Sequence, residues 1–165
     1  MNVSFLATVL FGTTLLQGCA TNCYLPRSTG PIPAIEPDLT AFVTNPELEP
    51  EMGILRQSGI VRLTDDPHAP VQLTLRACQI HPRCGMPCLA SALTLGVIPV
   101  AMPASCTYAF TLETPDGARV VRYELSMYER LSIWERIFRI FHSNVETQAM
   151  ALKIAAARTV RMQPE

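Results

Sequence analysis

Five soft donor side chains fall close together in this chain: Cys78-x5-Cys84-x3-Cys88, His81 inside the first interval, and Cys106 after seventeen intervening residues. Thiolate and imidazole are the ligands that suit Zn or Cu, so a metal is one chemistry open to the group. The spacing argues against it, because structural zinc knuckles are built on C-x2-C units and none is present. A redox couple would want C-x-x-C beside a helix N-terminus, where the dipole lowers the thiol pKa, whereas Cys84-Gly85-Met86-Pro87-Cys88 has three intervening residues, one of them proline. His68 follows Pro67 in a turn-like stretch and His142 precedes a helix-start signal; neither has a Ser or Cys placed beside it in a recognisable catalytic motif. Phosphate loop, dinucleotide fingerprint, zinc-protease motif and nucleophile elbow are all missing from the sequence. The expectation is no catalytic residue, no metal and no cofactor.

The compartment decides what the cysteines do. Residues 1–18 carry no charged side chain and hold an apolar run, Val3 to Leu16, which has the length of a signal-peptide h-region and is short for a bilayer span. The run closes on Leu16-Gln17-Gly18-Cys19. Here the sequence resembles bacterial lipoprotein precursors, whose lipobox places Leu three residues before, and a small residue just before, an acceptor Cys. That resemblance implies a signal peptide over 1–18, cleavage before Cys19, a diacylglyceryl thioether on its sulfur and an acyl chain on the new amine. The membrane is then a partner through the N-terminal lipid. Each buried CH2 contributes about 0.8 kcal/mol, so two or three chains hold where one would not. In lipoproteins of this kind Asp directly after the lipid-bearing Cys favours inner-membrane retention. Ala20 stands here, which implies the outer membrane with the protein facing the periplasm.

An exported protein meets oxidising enzymes, so two disulfides among Cys78, Cys84, Cys88 and Cys106 are expected, with the pairing left open by the sequence. Strand alternation sets Cys78 opposite the apolar face and Cys106 on it, which points to a loop cysteine rather than Cys78 as the partner of Cys106. With Cys19 lipidated, Cys23 is the odd thiol.

These side chains need a scaffold. The 165 residues are 48% hydrophobic and 16% charged with a net charge of −1, which fits one compact core and excludes a disordered chain. Near-neutral charge also gives no electrostatic footprint for nucleic acid, and none is expected as a partner. Residues 19–49 contain Pro26, Pro31, Pro33, Pro37 and Pro46, and read as a lipidated, semi-rigid tether without helix or sheet. A single domain is expected over 50–165. Pro50-Glu51, Ile54, Leu55 and Gly59 predict a short helix. Val71, Leu73 and Leu75 alternate with polar residues as in a half-buried strand, and Cys106 to Leu112 and Val121 to Met127 alternate on either side of Pro115-Asp116-Gly117 as in a hairpin. The apolar stretch from Leu93 to Val100 is expected to be the most buried strand. Ser143-Asn144-Val145-Glu146 is a capping box before a terminal helix. The fold class is therefore α+β: a mostly antiparallel sheet of about four to five strands covered by C-terminal helices.

Glu129 to Phe141 shows helical amphipathicity, with Trp134, Phe138 and Phe141 on one stripe and Arg130, Arg136 and Arg139 mostly on the other. One reading is a helix lying on a membrane or partner, with the aromatic residues inserted and the arginines near phosphates. The simpler reading is a helix packed on the sheet. The order of elements from residue 51 to 160, including Leu93 to Pro99 and the Asp-Gly turn, also resembles a group of small, mostly uncharacterised proteobacterial envelope lipoproteins. What that implies is a non-catalytic binding or scaffolding role in envelope assembly or transport, with an envelope protein as partner. The competing expectation is a periplasmic thiol- or metal-handling protein using Cys78, His81, Cys84, Cys88 and Cys106.

Overall fold

A computed structural model describes residues 20–27, 35, 37–82, 89, 93–94 and 96–161. The signal peptide, Cys19, Cys84 and Cys88 lie outside the described residues. By contact the chain divides into two compact units, one from Met1–Asn22, Cys84–Met102 and Glu129–His142, the other from Cys23–Arg83, Pro103–Tyr128 and Ser143–Glu165.

Six strands form one sheet: β1 (Ala20–Tyr24), β2 (Thr40–Val43), β3 (Arg62–Thr64), β4 (Gln72–Pro82), β5 (Val100–Thr114) and β6 (Gly117–Ser132), in the order β1-β6-β5-β4-β2-β3. Three helices accompany them: α1 (Glu49–Ser58), α2 (Trp134–Phe138) and α3 (Asn144–Arg161). The α+β class is as expected. The sheet is mixed rather than mostly antiparallel, because β2 runs parallel to both β3 and β4, and it has six strands rather than the four to five that the alternation revealed. Parallel neighbours need a crossover of a dozen or more residues, and α1 supplies it between β2 and β3.

The expectation that prolines exclude sheet from residues 20–50 is corrected by β1 and β2. Both strands fit between prolines: β1 ends before Pro26, and β2 sits between Pro37 and Pro46. A missing N–H forbids pairing only at the proline itself. Where Pro46 would end the β2 ladder, Asn45 extends it with its side chain. Its Nδ2 donates to Leu75 O at 2.9 Å and its Oδ1 accepts from Leu75 N at 2.7 Å. Just before it, Thr44 N donates to Leu73 O at 2.9 Å.

In the second unit the core forms where α1 and α3 meet the sheet. Leu73, Leu75, Cys106, Tyr108, Phe110, Leu112 and Leu125 are buried, as the strand alternation requires, together with Ile54 and Leu55 of α1 and Ala149 and Leu152 of α3. The two helices approach so closely that a Cβ at Gly53 would lie 3.2 Å from Val145 Cγ1. Helix α3 begins as its capping box predicts, with Ser143 Oγ accepting from Glu146 N at 3.3 Å. Glu51 is buried and ties three elements together: its Oε1 accepts from Cys78 N at 2.8 Å, and its backbone O accepts from Tyr108 OH at 2.8 Å.

The Leu93–Val100 stretch is not the buried strand expected of it. Leu93 is 79% and Ile98 58% exposed, and β5 begins only at Val100. Gly96 sits at φ +72°, in the left-handed region, and turns the chain where a strand would run straight.

Candidate functional site

Cys78 and Cys106 are joined by a disulfide with a Cα–Cα distance of 6.3 Å. This corrects the expectation that strand parity keeps them apart. The antiparallel β4–β5 register shifts between Arg76 and Gln79: three steps along β4 match two along β5, so the bulge inserts one residue. Leu73 and Leu75 point inward, but past the bulge the parity inverts, leaving Ala77 exposed and Cys78 packed against the core beside Cys106. No periodicity announces a bulge. Cys23 is buried in the same core, and its backbone N donates to Asn144 Oδ1 at 2.9 Å.

Two of the five proposed soft ligands are thus bonded to each other. Among the described residues no group of three or more His, Cys, Asp or Glu side chains could hold a metal ion.

The segment expected to be one helix from Glu129 to Phe141 is split. β6 continues through Ser132, because sheet pairing outweighs helical periodicity over Glu129 to Leu131, and α2 takes only Trp134–Phe138. Ser132 Oγ caps the new helix by accepting from Glu135 N at 3.2 Å. Arg130 is therefore a strand residue, while Trp134, Phe138 and Phe141 belong to the helix and the turn after it.

The buried member of α2 is its acid. Glu135 is 1% exposed; its Oε2 and its backbone O each accept from Asn22 Nδ2 at 2.8 Å, and Arg130 Nε lies 3.4 Å from its Oε1. Asn22, 0% exposed, belongs to β1. Two further bonds fix the start of α2 to the Gly96 turn: Ile133 N to Gly96 O at 3.0 Å, and the Trp134 indole N–H to Val97 O at 2.9 Å.

The apolar residues face outward. Trp134 is 46%, Ile137 55%, Phe138 51%, Ile140 80% and Phe141 84% exposed, and Val97 and Ile98 beside them are more than half exposed. The reading of this segment as a helix packed down on the sheet is therefore corrected. Arg136 and Arg139 are exposed among these side chains. Exposed large apolar side chains are ordinary when scattered singly, and it is when they gather in one patch that they point to interaction. Sequence periodicity found Trp134, Phe138 and Phe141 but missed Glu135 and Asn22, whose types read as ordinary solvated residues.

A separate groove lies in the second unit, about 360 Å³ in volume, lined chiefly by apolar side chains including Ile60, Phe110 and Leu112, with Asp38, Arg119 and Tyr123 also on its wall. Burial pushes the Tyr123 phenol above its ordinary range, partly offset by Arg119.

No protein-family model and no curated protein matches the chain. Solved structures that overlap with it include rare lipoprotein B from Shewanella oneidensis, at 14% identity and a TM-score of 0.37, over 75% of this chain and 97% of that one. A minor lipoprotein from Acinetobacter baumannii overlaps at 14% identity and a TM-score of 0.33, over 76% and 95% respectively. The PelC dodecamer protein from Paraburkholderia phytofirmans follows at 17% identity and a TM-score of 0.28, over 82% and 92%. Overlap at such scores establishes neither a shared fold nor a shared role. Among the described residues no helix is long and apolar enough to cross a membrane.

Proposed function

We propose that this chain is the precursor of a lipid-anchored envelope lipoprotein, attached through Cys19 to the outer membrane and facing the periplasm. In this reading it binds or scaffolds an envelope protein in assembly or transport and performs no catalysis. The carrying observation is the Leu16-Gln17-Gly18-Cys19 motif standing directly before Ala20, where β1 begins. A cleavage there would remove the apolar run and leave every described element intact, with the acyl chains one residue from the sheet. The side chains richest in chemistry also serve the fold. Cys78 and Cys106 are cross-linked, the Glu51 carboxylate accepts a backbone N–H, and the Glu135 carboxylate accepts from Asn22.

The test is the intact mass of the mature protein from membrane fractions, compared with Cys19→Ala. A mass beginning at a diacylated or triacylated Cys19, lost in the variant, together with sedimentation in the outer-membrane fraction, is expected. An uncleaved or unlipidated chain would overturn the reading.

A further inference from the structure

We infer that α2 and the turn after it seat the protein on the phospholipid surface to which its own lipid anchors it, so that attachment has two parts. The inference rests on the lipidation of Cys19 proposed above. Two residues separate Cys19 from Asn22, so the Cα atom that carries the lipid-bearing side chain can lie no more than about 11 Å from the Asn22 Cα, even on a fully extended chain. Asn22 is bonded through its amide to both the backbone O and the carboxylate of Glu135, at 2.8 Å each. The anchor is therefore tethered to α2 through two residues, and the side chains that α2 exposes stay within a short reach of the point where the acyl chains enter the bilayer.

Their chemistry suits that position. Trp134, Phe138 and Phe141 are 46%, 51% and 84% exposed; Trp is the type that settles at the headgroup level, and Phe is one that an interfacial helix inserts below it. Glu135 is the sole acid from residue 133 to 142, and it is 1% exposed, turned inward against Asn22 and Arg130. What remains outward is apolar and cationic, with Arg139 exposed among the rings, the composition of a surface that lies in an interface and meets lipid phosphates. Five helical residues cannot bind a membrane alone; next to a lipid anchor the second contact becomes intramolecular, and small apolar areas suffice.

Trp134 is the only tryptophan of the chain, so its emission reports this surface directly. The lipid-bearing mature protein, its mass verified, would be reconstituted into phosphatidylethanolamine–phosphatidylglycerol vesicles with and without bromine on the acyl chains. Expected are a blue-shifted Trp134 emission, quenching by the brominated chains, and protection from aqueous acrylamide. Arg139→Glu, a change at an exposed position, is expected to reduce the bromine quenching with the far-UV circular dichroism unchanged, as is Phe141→Ser. A correctly lipidated protein whose Trp134 stays open to acrylamide and blind to bromine would overturn the inference while leaving the proposed function standing. So would a Trp134 protected only when other envelope proteins are present, since a protein would then be the occupant. An unlipidated mature mass would overturn both.

Discussion

Removal of the Cys78–Cys106 bond by the double substitution Cys78→Ala, Cys106→Ala is expected to destabilise the mature protein strongly. The cysteines are 28 residues apart in sequence, and loop-closure entropy for that interval gives about 3.6 kcal/mol at 25 °C. Cys106 is 1% exposed, so loss of its sulfur adds ~1 kcal/mol of lost packing. For a domain of this size each kcal/mol lowers Tm by about 2–4 °C, and the cross-link term alone corresponds to about 7–14 °C. Urea unfolding followed by far-UV circular dichroism would measure it, and the m-value should rise, because an unfolded chain freed of its cross-link exposes more surface. A non-reducing peptide map of the parent protein should contain the Cys78–Cys106 pair. A loss below about 1 kcal/mol with an unchanged m-value would refute the reasoning, and a map pairing either cysteine with Cys84 or Cys88 would refute the register from which it starts.

Three further outcomes are expected. Asn45→Ala removes both bonds to the Leu75 backbone and should cost about 2 kcal/mol, at about 1 kcal/mol for each bond, read from the urea midpoint. Asn22→Leu takes the amide donor from the buried Glu135 carboxylate and should cost about 1.5–3 kcal/mol, with the fluorescence anisotropy of Trp134 falling as α2 loses its hold on β1. Tyr108 is pushed above the ordinary tyrosine range, first by burial and then by Glu51, so the folded state holds this proton more tightly than the unfolded state. Its stabilising effect is therefore complete below about pH 10, the unfolded value, and is lost as pH rises above it. Phenolate absorbance at rising pH should show Tyr108 ionising together with unfolding, and Tyr108→Phe should flatten that alkaline loss.

Where burial alternates along a single element, the sequence was readable. Leu73 and Leu75, the Cys106–Leu112 run and the Pro115-Asp116 turn all sit where their periodicity and turn chemistry put them, and α1 and α3 start at their own signals. Such patterns are local, since a period of two or a cap needs only neighbours in the chain. β1 and β2 were missed because four or five residues between prolines carry too little pattern, and their existence depends on partners far away in sequence. The Cys78–Cys106 pair was missed for a different reason: one inserted residue at the bulge inverts the parity of everything after it.

At the candidate surface the division is the same. Trp134, Phe138 and Phe141 were visible as an apolar stripe, and Leu16-Gln17-Gly18-Cys19 as a motif, because both consist of side-chain types at fixed short spacing. Whether that stripe lies against the sheet or faces outward was not a property of the segment. It was decided by β6 pairing as far as Ser132, by Ser132 capping a helix only five residues long, and by Asn22, more than a hundred residues earlier, drawing Glu135 inward. Periodicity states which side chains share a face; only the long-range bonds that fix the other face state which way it looks.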